Sequence, residues 1–221
     1  MKKETLNRVW IVTFFAIAMG YLEAIVVAYL RALYYPNGFN FPLANLVQSE
    51  ILLIEWVREF ATIVMLVTVA MLAGKKFFER SAYFIFAFAV WDIFYYVFLK
   101  VILDWPASLF TWDVLFLIPW PWVGPVITPV LCSLLMIFTA IAVLNLNDKG
   151  KKIRTILYDW IIIILGILLV LISWMYDYGK MIFLNNSDSG FVPTHYNWWL
   201  FGIGFILAGF GIARFLIRNK K

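Results

Sequence analysis

The chain has 221 residues, of which 64% are hydrophobic and only 14% charged, and its mean hydropathy is +0.89. A soluble domain could not hide that much apolar surface, so the expected solvent is lipid. A net charge of +5 at pH 7 is explained by where the basic residues fall along the spans, and nucleic acid is not expected as a partner.

A hydrocarbon core roughly 30 Å thick needs about 20 apolar helical residues to cross it. Six stretches meet that length: Val9–Tyr29, Ile51–Leu72, Ala82–Leu103, Trp122–Leu144, Ile156–Tyr176 and Trp198–Ile217. Unbroken runs of this length predict helices, because barrel strands would show alternating segments of about 10 residues. The expected fold is a single all-α integral membrane domain over residues 1–221, a bundle of six transmembrane helices.

The first stretch begins with basic residues and contains Ala16-Ile17-Ala18, which imitates a cleavage site. Its apolar run continues to Leu30, as suits a membrane anchor, so it is read as uncleaved. Lys2, Lys3 and Arg8 precede span 1, and Lys75, Lys76 and Arg80 lie between spans 2 and 3. Lys149, Lys151, Lys152 and Arg154 separate spans 4 and 5, while Arg214, Arg218, Lys220 and Lys221 close the chain. With six spans all of these fall on one side, predicting both termini in the cytoplasm, in a bacterial plasma (inner) membrane.

Within spans 1 to 3, ionisable residues gather in the outer half of the bilayer. At 1.5 Å per residue, Glu23 lies roughly 9 Å below the outer boundary, Arg58 and Glu59 about 10 to 12 Å, and Asp92 about 15 Å. Glu55, Arg31 and Lys100 lie nearer the surface. Glu55, Arg58 and Glu59 stand at i, i+3 and i+4 on one helix face. Asp92, Tyr96 and Lys100 follow one another at i+4 steps, with Tyr95 beside them. The layer sets the acids Glu23, Glu55, Glu59 and Asp92 against the bases Arg31, Arg58 and Lys100, so one negative charge is left over. A surplus carboxylate in low dielectric takes a proton or holds a cation. The competing reading is ion-paired glue, although polar contacts between membrane helices contribute only about 0.6 kcal/mol on average.

Between spans 3 and 4 the sequence Asp104-Trp105-Pro106 is followed by WDVLFLIPWPWVGPVITP from Trp112. Ser108–Ile118 is too short to span and too apolar for water, which predicts an interfacial or re-entrant segment capping the charged layer, with Asp113 at its rim. An ordinary aromatic belt is the alternative. Pro125 and Pro129 are expected to kink the outer end of span 4. The first outer loop is also aromatic, with Tyr34, Tyr35, Phe39 and Phe41 around Pro36-Asn37-Gly38.

Spans 4 to 6 hold few charges, Asp159 and Arg214 among them, which argues against an inverted three-plus-three repeat. Gly204, Ala208 and Gly211 form a small-residue stripe for close packing, expected within the chain. One cysteine, Cys132, excludes an internal disulfide, and one histidine, His195, excludes a bis-histidine haem. No cofactor and no metal is expected, and short hydrolase, protease, nucleotide and diphosphate motifs are missing.

The candidate site residues are therefore Glu23, Glu55, Arg58, Glu59, Asp92, Tyr96, Lys100 and Asp113. The leading expectation is a small carrier or permease-like protein binding a proton, cation or small polar solute there. An intramembrane enzyme acting on a lipid or isoprenoid is the second reading, with segment 105–122 as its cleft. The third is a non-catalytic subunit of a larger membrane complex, suggested by the apolar outer loops and the small-residue stripe; the corresponding association is a homo-oligomer or a membrane-complex partner. Membrane lipids are expected partners in every case.

Overall fold

A backbone in hydrocarbon must satisfy its own hydrogen bonds, and the six apolar runs do so as helices. In the computed structural model, which describes residues 1–36, 38–41, 51–151, 153–185, 192–193 and 195–220, these are α1 Lys3–Tyr34, α2 Ile51–Ala73, α3 Phe77–Leu103, α4 Ile127–Asp148, α5 Leu157–Asn185 and α6 Trp198–Lys220. Each is long and apolar enough to cross a bilayer. Asn37, Lys152 and Lys221 lie outside the described residues. Large apolar side chains point outward along the helices, among them Ile11, Phe14, Leu72, Val101 and Ile206. This is a multi-pass membrane protein.

The all-α expectation is corrected between α3 and α4. Two short strands, β1 Trp112–Phe116 and β2 Trp122–Pro125, pair antiparallel, with Asp113 opposite Gly124 and an irregularity between Val114 and Phe116. Helix 4 consequently starts five residues later than expected from Trp122. Pro125 ends β2, and Pro129 occupies the first turn of α4, where a proline's missing N–H has no helical acceptor to lose and no kink is required. Asp104 terminates α3 in the left-handed conformation, at φ 50°.

Two close approaches fix the packing. Gly20 lets α1 lie on α3, since a Cβ there would stand 3.0 Å from the Trp91 carbonyl oxygen. On α6, Gly204, Ala208 and Gly211 meet α5 at Gly166 and Ile163, so the small-residue stripe is consumed inside the chain. A Cβ on Gly166 would come within 2.4 Å of the Ala208 nitrogen. Gly166→Leu is therefore expected to cost about 1–3 kcal/mol or more in thermal unfolding, through overpacking. Gly202→Ala, where a Cβ meets open space, should be neutral or slightly stabilising in the same measurement.

The segments rich in basic residues meet at one end of the bundle. Arg8 donates to the Ala73 carbonyl at 2.8 Å, and the Lys2 backbone N–H to Asp148 at 2.6 Å. Lys151 donates to the Lys220 carbonyl, and the Arg154 backbone N–H to Asn219 at 2.8 Å. Arg214 and Arg218 both engage Asp159. The β-hairpin belongs to the opposite end, where it is wedged among the helices.

Candidate functional site

The second helix presents Glu55, Arg58 and Glu59 one turn apart, and α1 lies close enough for Glu23 to reach them. Arg58 Nη1 donates to both oxygens of Glu23 at 2.5 Å, and its Nε donates to Glu55 Oε2 at 2.8 Å. One guanidinium thus serves two carboxylates with charge-assisted bonds. Thr62, a turn further on, donates to the Arg58 carbonyl at 3.1 Å and holds the local backbone.

Glu59 has a different partner. Both its oxygens accept the Leu117 backbone N–H, at 3.1 and 2.9 Å, so the turn after β1 hangs from helix 2 by that carboxylate. Glu59 is only 5% exposed. Asp92, on α3, accepts a hydrogen bond from Ser133 Oγ of α4 at 2.7 Å. Neither acid has a basic side chain within ion-pair distance among the described residues.

Arg31, near the end of α1, forms an ion pair with Asp113 at 3.1 Å, and its guanidinium lies 3.8 Å from the Trp105 ring centroid and 4.4 Å from that of Phe39. Stacking between rings stabilises a cation removed from water. Asp113 is 1% exposed, so the residue expected at the rim is instead one of the most buried acids of the protein. The hairpin's other side is fixed by α5: Trp122 stacks on Trp174 with ring centroids 5.8 Å apart, and Trp174 donates to Thr128 at 2.8 Å. Gly124 lets the strand approach, because a Cβ there would stand 3.0 Å from the Trp174 ring.

These elements line a partly open cavity of about 90 Å³ between α1, α2, α3 and the hairpin, with room for several water molecules. Of the eight residues expected at the site, Glu23, Glu55, Arg58, Glu59, Asp92 and Asp113 line it. Tyr96 is buried behind Asp113, packed against Tyr95, whose side chain does reach the cavity. Lys100 is elsewhere. Its ammonium turns to the end of its own helix, pairing with Asp104 at 2.7 Å and donating to the Pro106 carbonyl at 3.2 Å. That pairing holds the Asp104 carboxyl below its usual range.

Arg31 takes the place at the cavity that Lys100 does not fill. Ser133 and the Leu117 N–H are further members that the sequence reading left out. Trp91 also lines the cavity, and its indole N–H has no hydrogen-bond partner among the described residues. No family model, curated protein or solved structure matches this chain. The site must therefore be read from its own chemistry.

Both arginines are committed to ion pairs, Arg58 with Glu23 and Glu55 and Arg31 with Asp113 between two rings, although Arg31 Nε donates to none of the described residues. Among the described residues, an anionic ligand finds no cation in the cavity that is not already ion-paired. Glu59 and Asp92, in contrast, accept hydrogen bonds only from neutral donors among the described residues. Among the described residues no three His, Cys, Asp or Glu side chains converge in a way that would hold a metal ion. The layer therefore separates into paired charges that brace the helices and two acids with no ion-pair partner among the described residues.

Proposed function

We propose that this protein is a small carrier-like membrane protein whose cavity takes up a proton or a small monovalent cation at Glu59 and Asp92, with the basic end of the bundle and both termini in the cytoplasm. The observation that carries the reading is the unequal pairing around the cavity, where both guanidinium groups are engaged by carboxylates and two acids are left over. Net negative charge in a low-dielectric pocket is relieved by a proton or a cation. Neutralising Glu59 weakens its bond to the Leu117 N–H, because a charged acceptor binds that donor more strongly than a neutral one. Occupancy of the cavity is thereby coupled to the hold on the hairpin that covers it.

A phospholipid or diphosphate headgroup is less well served, since it would have to compete with the carboxylates that already pair with both arginines. The small-residue stripe, one of the two features behind the subunit reading, is occupied within the chain.

The test is flux in proteoliposomes. The wild-type protein is expected to give pH-dependent uptake of protons or of a monovalent organic or inorganic cation. Asp92→Asn and Glu59→Gln should abolish it, while expression and monodispersity in detergent stay near wild type. Folded wild-type protein that moves none of these would overturn the reading, and loss of folded protein in both variants would make the two acids structural.

A further inference from the structure

A second cavity lies far from the carboxylates, on the surface between α4 and α6 at the basic end. Its volume is about 530 Å³, its walls are apolar side chains that include Phe138, Ile141, Leu146, Leu216 and Ile217, and Asn145, Lys149 and Lys220 complete the lining. Lys149 follows the last residue of α4 and Lys220 is the last residue of α6, so both lysines stand at one end of the groove. Phe138 and Ile141 lie two to three helical turns back along α4, toward the middle of the bundle.

The neighbouring charges are already committed. Arg214 and Arg218 engage Asp159, and Asp148 accepts bonds from the Lys2 backbone and from Thr5 Oγ1, each at 2.6 Å. Lys149 and Lys220 make no ion pair among the described residues, and both are exposed. An apolar slot running into the bundle with two unpaired cations at its mouth is complementary to one molecule class. An acyl chain fills the slot while a phosphate meets the lysines.

We propose that the groove between α4 and α6 binds an anionic phospholipid, its headgroup phosphate on Lys149 and Lys220 and one acyl chain against Phe138, Ile141 and Leu216. Choline or ethanolamine lipids share the chain but carry no net negative charge, so the selectivity resides in the lysines. Basic residues near an anionic lipid surface contribute about 1 kcal/mol each, which makes the two together worth about 30-fold in affinity. The site is independent of the carboxylate cavity and does not rest on any transport reading.

The experiment is thermal unfolding of the full-length protein in detergent with added phosphatidylglycerol, phosphatidylcholine of the same acyl chains, or inorganic phosphate. Phosphatidylglycerol is expected to raise the melting temperature at concentrations where the other two have no effect. Lys149→Gln/Lys220→Gln should need about 30-fold more phosphatidylglycerol for the same shift. Ala213→Phe, which fills the groove from an exposed position on α6, should remove the response to lipid altogether. Equal responses to the two lipids would overturn the proposal, as would an unchanged response in the lysine or Ala213 variants. A shift produced by inorganic phosphate alone would reassign the site to free phosphate, and a dimer dissociated by Ala213→Phe would reassign the groove to a second copy of the chain.

Discussion

Replacing Arg58 by glutamine is expected to cost more stability than any other single change at the cavity. The guanidinium joins Glu23 of α1 to Glu55 of its own helix, and all three side chains are largely shielded. Removing one partner of a buried charge pair typically costs about 3–5 kcal/mol, since the remaining charge keeps its desolvation penalty and loses its compensation. Here two carboxylates lose it together and are left repelling one another. Thermal unfolding in detergent should show a large drop for Arg58→Gln. The companion Arg58→Gln/Glu23→Gln/Glu55→Gln should recover much of it, because neutral amides need no counter-charge. Lack of recovery would mean that Arg58 contributes by packing its stem, and the pairing would then be incidental.

The Arg58 cluster is also the part of the site most legible in the sequence. Residues at i, i+3 and i+4 must share a helix face, so Glu55, Arg58 and Glu59 could be placed together once their stretch was read as a helix. Partners on other elements were harder. Ser133 reaches Asp92 across 41 positions of sequence, and nothing in a serine within an apolar run distinguishes it from a residue bonded to its own backbone. The same spacing argument misled at Lys100: i+4 steps correctly put it on the face of Asp92, but its stem is long and Asp104 is equally one turn away. The left-handed end of α3 offers that carboxylate and a carbonyl outside the bundle.

The hairpin was illegible for a different reason. Residues 112–118 form a short apolar run, and periodicity cannot separate a buried strand from a helix over that length. The turn carries prolines and a tryptophan in place of an Asn-Gly or Asp-Gly signal. What the sequence did show was that water would be a poor home for the segment. Burial of its polar backbone against Glu59 and of Asp113 against Arg31 is the structural answer to that constraint.

Arg31→Gln is expected to release that segment from the bundle while leaving the helices folded. Asp113 would keep a carboxylate at 1% exposure with no counter-ion, a state relieved either by protonation or by moving β1 outward. Hydrogen exchange should locate the consequence: amides of residues 112–125 lose protection by tenfold or more, corresponding to about 1.4 kcal/mol or above, while those of α4 and α6 are unchanged. Asp113→Asn should have a smaller effect, because it removes the need for a counter-charge and leaves Arg31 stacked on Trp105 and Phe39. In the double variant the loss should be less than the sum of the two, the mark of a direct pairing. Additive losses would show that Arg31 and Asp113 act separately, and the hairpin would then be held by Glu59 and by its packing on Trp174 and Tyr196. If flux also rises at a given pH when Arg31 is replaced, the hairpin is the element that limits access to Glu59 and Asp92. Unchanged flux beside lost protection would separate the covering of the cavity from its use.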